Sequence, residues 1–233
     1  MSAVGFRPSG LTPDTFKNIQ TGAGAIYFNV DMTNVRIDTT WTEIQEILKT
    51  AYEANKMLGA TRGGCTFNAV PDMRQMEIDD LQFDIPGTTQ INRWEVTLGS
   101  TALEIKKDNI LMMLPTSFQD PVTGAFRVSS VLTPEHYQKN VVWAGLKGDG
   151  GYQVIELTTV LNLEGMAQTM ANQGEGTIPV NFRAHQANLA DMQFGPFNIW
   201  LFDNEDATAS ALTANTAGIQ TFEAASKNKV NKI

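Results

Sequence analysis

The pattern of apolar and polar positions along this chain predicts mainly β structure. Apolar side chains alternate with polar ones in five segments, and a period of two is typical of strands with one buried face. The segments are residues 26–30, 93–98, 153–158, 178–183 and 197–202. The last of them is apolar on both faces. Neither βαβ alternation nor a repeat of fixed period is present, so helices are expected only as insertions in a β chain.

One amphipathic helix is predicted over about residues 40–57. Thr40 and Glu43 have the spacing of a capping box, and apolar residues follow at steps of three and four. Gly59 is the expected end of this helix, because glycine readily adopts the left-handed backbone that follows a helix. Weaker helix starts lie at Asp108 and Thr133.

Glycine and proline mark the connections between the predicted strands. The Gly-rich residues 147–151 predict a hairpin between two apolar segments, and residues 172–176 predict another tight connection. Pro179 falls inside a predicted strand, which indicates an edge position or a bulge because proline cannot donate to the ladder.

Composition narrows the classes of protein that this chain can represent. With 17 Lys+Arg and 25 Asp+Glu, the net charge is −8, which argues against a protein that grips DNA by neutralising its phosphates. The single Cys65 excludes an internal disulfide framework, and no apolar run approaches the roughly 20 residues of a membrane helix. We therefore expect a soluble protein that folds in a cytoplasm, with no membrane partner.

The sequence offers no visible catalytic set, and we predict that the protein is not an enzyme. The two histidines, His136 and His185, are far apart, and no spacing resembles a metal site. The acidic cluster of Glu77, Asp79 and Asp80 lacks the spacing of an EF-hand, so a solvated strand face is the favoured interpretation. No cofactor and no metal are predicted.

Several short motifs, in order, resemble the tail tube (major tail) proteins of bacteriophages with long, non-contractile tails. The resemblance spans roughly residues 23–202, and the ordered succession of the motifs carries it. The first half has residues 58–64 (Leu-Gly-Ala-Thr-Arg-Gly-Gly), Phe67, 73–74, 77–79, 94–96 and 108–110. The second half has residues 140–143, 161–162, 174–180 (Gly-Glu-Gly-Thr-Ile-Pro-Val), Phe182, 184–185 and 196–199. Asp80, where a glycine is expected, and the helix at 41–56 depart from the pattern.

The resemblance implies a fold, an organisation and a function. The implied fold is a mainly β, tail-tube-like β-sandwich or barrel flanked by an α-helix, with an extended loop and a C-terminal arm. Residues 1–203 would form the β domain and residues 204–233 a C-terminal extension. Copies of such proteins form rings, usually hexameric, that stack into the tube through which DNA leaves the capsid. The implied location is the virion tail, assembled in the host cytoplasm.

The implied partners are other copies of the chain and the tail tip, tape measure and tail terminator proteins. Phage DNA would pass through the lumen without specific binding. An acidic wall suits this role, because like charge keeps DNA out of deep binding wells. The candidate lumen residues are Glu77, Asp79, Glu95, Glu156, Glu164 and Glu175. The candidate assembly residues, taken from the motifs, are Gly59, Arg62, Gly63, Gly64, Gly174, Gly176 and Pro179.

Two other structural or binding functions remain open from the sequence. One is a carbohydrate- or receptor-binding β-sandwich on a virion surface, which requires a cluster of exposed aromatic side chains. The other is the tube of a contractile particle or secretion system, which a sheath partner would reveal. Trp94, Trp143 and Trp200 fall inside predicted strands and are expected in a core or a subunit seam.

Overall fold

The structure is a computed structural model that describes residues 12, 14–80, 83, 85–170, 172–187 and 194–204. The predicted C-terminal extension lies outside the described residues from residue 205 onward. The described chain is mainly β, as predicted, with a curled sheet that forms a half-barrel and two helices. None of its helices is long and apolar enough to cross a membrane.

Within the described residues, nine strands and two helices follow one another. The first half contains β1 Gln20–Tyr27, α1 Trp41–Glu53, β2 Thr61–Gln75, β3 Thr89–Ala102 and α2 Lys107–Met113. The second half contains β4 Ser117–Gln119, β5 Phe126–Val128, β6 Gln138–Lys147, β7 Tyr152–Asn162, β8 Ile178–Ala184 and β9 Phe197–Phe202. A 3-10 turn at Pro134–His136 follows the predicted start at Thr133.

Seven of the strands form one antiparallel sheet. Six of them follow the order β1-β6-β7-β8-β3-β2, and the seventh, β9, pairs with β7. Along one edge of β7, β9 pairs with the first half of the strand and β8 with its last three residues. The chain segment before β2 closes part of the half-barrel, because Tyr27 forms a bridge with Met57. β4 and β5 form a separate two-stranded sheet.

The main hydrophobic core fills the concave side of the curled sheet. Its fully buried members include Phe182, Ile26, Leu98, Leu157 and Met113. Phe182 meets Phe28 edge to face, with ring centroids 5.9 Å apart. The predicted inward face of residues 178–183 is confirmed, because Ile178, Val180 and Phe182 are all buried.

Helix α1 covers the outer face of β6 and β7. Its buried residues, Ile44, Leu48 and Ala51, belong to a second apolar cluster with Val142 and Val154. The predicted capping box is confirmed: the Thr40 amide donates to Glu43 at 2.8 Å, and the Glu43 amide to the Thr40 hydroxyl at 3.4 Å.

The predicted end of α1 at Gly59 was wrong. The helix ends at Glu53, and Asn55 takes the left-handed conformation with φ 54°. Asparagine tolerates this conformation better than most residues because its short amide bonds locally. Gly59 lies beyond the helix, with φ 92°.

Helix α2 closes one end of the concave core, and two buried asparagines hold it. The Asn109 amide donates to Leu58 O at 2.8 Å, and the Asn162 amide donates to Met113 O at 2.9 Å. The predicted cap at Asp108 was displaced by two residues, because Lys106 is the N-cap and Asp108 lies in the first turn.

Candidate assembly surface

The hairpin of β2 and β3 projects beyond the curled sheet. The pairing of the two strands runs from Thr61 opposite Ala102 to Gln75 opposite Thr89. In contrast, β8 pairs with β3 only between Thr97 and Ala102. No other described strand pairs with the outer edge of β2. We call the projecting strands, residues 69–75 and 89–96, the hairpin arm. Its backbone edges are open, which in a soluble chain is a template for pairing with another strand.

One face of the hairpin arm is apolar. Pro71 lies opposite Trp94, and after a bulge at Asp72 and Met73 the next pair is Met73 with Ile91. Met73, Ile91 and Trp94 are 56%, 52% and 44% exposed. Large apolar side chains aligned on one face of a two-stranded ribbon are typical of a surface that another element covers.

The opposite face of the hairpin arm is polar, apart from Val70. The Arg93 Nε and an Asp72 carboxylate oxygen are 3.5 Å apart, and the Arg74 guanidinium donates to the Gln90 amide oxygen at 2.9 Å. The arm is therefore amphipathic, with its apolar face directed to the same side as the concave core.

Aromatic side chains join the apolar face of the arm to the core. Phe197 of β9 packs against Phe67 with ring centroids 5.6 Å apart and against Trp94 at 6.4 Å. Ile199 and Leu201 continue the same face of β9 and are 47% and 67% exposed. The apolar surface therefore extends from β9 onto the arm.

Two of the predicted assembly motifs meet at the base of the hairpin. Arg62 forms an ion pair with Glu175, which lies 113 residues away between Gly174 and Gly176. Hydrogen bonding within the turn and to Arg62 lowers the pKa of the Glu175 carboxyl. Both side chains are exposed, so the pair orients the loop more than it stabilises the fold.

Gly63 and Gly64 bend β2 where it passes β1. Both have left-handed backbones, with φ 76° and 79°, and the pairing with β3 shifts register between Thr61 and Cys65. Such a bulge needs glycine because a side chain strains this conformation. A Cβ on Gly64 would lie 3.9 Å from the Ala23 Cβ, so the two sheet edges are in close approach here.

The remaining motif residues, Gly59 and Pro179, have local structural roles. A Cβ on Gly59 would overlap the Glu104 carboxylate, which accepts the Ala60 amide at 2.6 Å. Hydrogen bonds from Lys106 and from that amide lower the pKa of Glu104. Pro179 pairs with β3 only, since β7 meets β8 no earlier than Phe182; the predicted edge position is confirmed.

The structure does not bring the six candidate lumen carboxylates onto one face. Glu95 and Glu164 both lie at the outer face of β8: a Glu95 oxygen is 3.8 Å from the Arg183 guanidinium, and Glu164 accepts the Asn181 amide at 2.7 Å. Glu77 and Asp79 are exposed just beyond β2. Glu175 belongs to the base of the hairpin.

Glu156 is buried, with only 6% of its surface exposed. It lies on the outer face of β7 opposite Asn198, whose amide donates to it at 2.9 Å. Burial raises the pKa of the Glu156 carboxyl because the charged form loses its hydration. We therefore leave Glu156 out of any proposed solvent-facing wall.

The burial of Glu156 predicts a specific pH dependence of stability. Since its folded-state pKa is raised above the ordinary value of 4.5, the folded chain holds the proton longer than the unfolded chain. Stability is then lost as pH rises from about that value through the folded-state pKa. Glu156→Gln should remove this loss and be the more stable protein at pH 7. Urea unfolding between pH 4 and pH 8 measures the difference, with the exposed Glu164→Gln as matched control; parallel curves for all three proteins would contradict the prediction.

The histidines and the cysteine, which the sequence offered as candidates for catalysis or metal binding, make ordinary structural contacts. His136 accepts the Thr133 amide at 2.9 Å, and His185 packs edge to face on Tyr137 with centroids 5.2 Å apart. Burial, and then the nearby Arg183, lower the pKa of His185. Cys65 is half-buried beside Ser100. Within the described part of the chain, no group of three or more His, Cys, Asp or Glu side chains could hold a metal ion.

Comparison with known protein families and with curated proteins gives no match for this chain. The sequence analysis did not predict β2 as a strand, and so missed the apolar face of the arm. The available signal was the alternation of Phe67, Ala69, Pro71 and Met73, which the glycines before it obscure.

Proposed function

We propose that this chain is the subunit of a phage tail tube of the long, non-contractile type. The observation that carries the proposal is the amphipathic hairpin arm with its open strand edges. A chain that exposes both an apolar ribbon face and unpaired edges is suited to contacts with further copies of itself. The ordered motifs of the sequence support the same function.

The two outer faces of the sheet suggest how such a subunit would be oriented. The outer face of β6 and β7 is covered by α1, whereas the outer face of β2, β3 and β8 carries polar side chains with no described helix over it. We infer that this polar face lines the lumen and that α1 lies on the outside of the tube. Thr66, Asn68 and Asn181 are typical of it.

The inferred wall is polar and close to neutral in the single subunit. Asp72 and Glu95 each lie near an arginine, Arg93 and Arg183 respectively. A wall of this kind would not bind DNA tightly at each ring, because non-specific affinity for DNA comes from Lys and Arg side chains that are free to neutralise phosphates. The more strongly acidic wall expected from the sequence remains a prediction.

The direct test is assembly of the purified full-length chain at high concentration. Negative-stain electron microscopy should show hollow tubes or stacked rings, and light scattering of the same sample should show particles far larger than a subunit. Where the protein stays monomeric, purified tail tips are added as nuclei. A chain that remains monomeric with tips present would overturn the proposal, and saturable binding to a glycan array would then favour the surface-binding function.

Charge reversal on the inferred wall should slow DNA release. In virions carrying Glu95→Lys with Glu164→Lys, the wall gains positive charge in every subunit, because Arg183 also loses its neighbour. DNA should then be held at each ring, and ejection triggered in vitro should be slower at low salt than at high salt. Tube length in micrographs is the control for assembly. Ejection kinetics equal to those of the parent would contradict the lumen assignment.

A further inference from the structure

A groove of about 440 Å³ separates helix α1 from strand β1 on the outer side of the sheet. Its walls include Gln45 and Tyr52 of α1, and Thr21, Gly22, Gly24, Ala25 and Tyr27 of β1. Leu146 and Tyr152 contribute to its floor. The volume falls in the range of about 300–1,000 Å³ that is usual for ligand sites.

Three tyrosines converge on this groove. Tyr27, Tyr52 and Tyr152 all line it, and they are near enough for Tyr152 and Tyr52 to add to the effect of burial in raising the pKa of Tyr27. Aromatic rings with a polar hydroxyl form the walls of grooves that bind extended, proline-containing segments.

The β1 wall of the groove is shaped by a β-bulge. Pairing between β1 and β6 is interrupted between Thr21 and Ala25, where Gly22 and Gly24 have left-handed backbones with φ 80° and 68°. At the bulge, the Gly22 carbonyl accepts the Gln20 side-chain amide at 3.5 Å and the Ala23 carbonyl accepts the Trp143 indole N–H at 3.1 Å. The bulge therefore fixes the shape of this wall of the groove.

The chain itself contains a segment with the matching chemistry. Residues 6–13 read Phe-Arg-Pro-Ser-Gly-Leu-Thr-Pro, with Pro8 and Pro13 and two large apolar side chains, Phe6 and Leu11. Proline fixes its own φ and holds the preceding residue extended, so such a segment loses less conformational entropy on binding.

The described chain that follows this segment is fixed at one end of the half-barrel, beside residues that line the groove. Gln20 pairs with Lys147, and the Gly148 amide donates to Ile19 O at 2.8 Å. The groove residues Thr21 and Leu146 pair with each other one position further along. Because residues 6–13 come just before this fixed part of the chain, they can reach a neighbouring copy that lies beside the same end of the half-barrel.

We propose that residues 6–13 of one subunit bind in the groove between α1 and β1 of a second copy. This inference adds to the proposed function a named segment that links subunits. It rests on that function in one respect, because it requires that copies of the chain come into contact. The apolar side chains would enter between the tyrosines, along the wall that the bulge at Gly22 and Gly24 shapes.

Disulfide trapping between two different single-cysteine chains tests this contact. Both full-length chains carry Cys65→Ser, so that the introduced thiols are the only ones. One chain carries Leu11→Cys and the other Gln45→Cys, which excludes a disulfide within one chain. Gln45 is exposed and lines the groove, whereas its neighbour Glu46 is exposed and does not, so Glu46→Cys is the matched control.

The disulfide between Leu11→Cys and Gln45→Cys should form roughly tenfold or more faster than the one between Leu11→Cys and Glu46→Cys. Docking of the segment would give the thiol at position 11 a millimolar effective concentration beside position 45, which lines the groove. Non-reducing electrophoresis after mild oxidation measures both rates. Adding Tyr52→Lys to the Gln45→Cys chain should reduce the first rate to that of the control. Equal rates for 45 and 46 would overturn the inference, as would rapid closure of a Leu11→Cys, Gln45→Cys chain on itself with no heterodimer between chains.

Electron microscopy of the same samples separates this inference from the tube proposal. Tubes without selective trapping at Gln45 would leave the tube function standing and remove the segment from the groove. Selective trapping without tubes, even with tail tips present, would support the copy-to-copy contact and overturn the tube function.

Discussion

Ile91→Glu is expected to abolish self-assembly while leaving the subunit folded. Ile91 lies on the apolar face of the hairpin arm opposite Met73 and is already half exposed in the subunit, so the charge costs the isolated fold little. In an assembly that covers this face, the carboxylate would be desolvated. Because Ile91 is 52% exposed in the subunit, assembly can bury only about half of its side chain, and the lost burial alone is worth roughly 0.8–1.5 kcal/mol per contact. The cost of desolvating the carboxylate adds to this, and each 1.4 kcal/mol corresponds to about tenfold in affinity.

The neighbouring Gln90→Glu is the matched control for this prediction. It introduces the same charge one residue away, on the polar face, where Gln90 already accepts a bond from Arg74. Sedimentation velocity across a concentration series should show Gln90→Glu assembling like the parent and Ile91→Glu remaining a monomer. Circular dichroism and thermal unfolding of the monomer check that both variants are folded. Equal assembly of the two variants would show that the apolar face of the arm is not a subunit contact.

Phe182→Ala is expected to cause the largest loss of stability among simple core truncations. Phe182 is fully buried in the concave core and packs against Phe28 across the half-barrel. Removing a buried phenyl ring leaves a cavity and should lower the free energy of unfolding by about 3–5 kcal/mol, a large part of a typical domain's stability of about 5–15 kcal/mol.

The exposed phenylalanine at position 118 provides a control for the same substitution. Phe118 lies in β4 and is 47% exposed, so Phe118→Ala should change the free energy of unfolding by about 1 kcal/mol or less. Urea unfolding of the two variants, followed by tryptophan fluorescence, measures the difference. Similar losses at both positions would place the stabilising core somewhere other than the concave side of the sheet.

The sequence predicted the elements whose signals are local. The capping box of α1, the hairpin at residues 147–151 and the buried face of β8 are each encoded by neighbouring residues, and all are confirmed. The helix end was misplaced because Asn55 took the left-handed position that glycine usually occupies. Strand β2 was missed because Gly63, Gly64 and Pro71 disfavour a strand locally, whereas its pairing with β3 overrides that preference.

Features that depend on distant parts of the chain could not be predicted in the same way. The alternation in residues 153–158 places Glu156 on the face of the strand that points away from the core, and such a face is normally exposed to solvent. The structure buries it because α1 and the chain leading to it cover the outer face of β7, a fact encoded far from residue 156. The ion pair of Arg62 with Glu175 likewise depends on the fold as a whole.

The close approach of Gln20 and Asn204 to the turn at residues 147–151 has a practical consequence for labelling this protein. Gln20 pairs beside the turn at residues 147–151, and a Cβ on Gly150 in that turn would touch the Asn204 side chain, so both ends of the described chain emerge at one pole. A label introduced beside Gln20 or Asn204 would therefore crowd the tyrosine groove. The exposed residues 121–124, in the turn between β4 and β5, are the better site for a label.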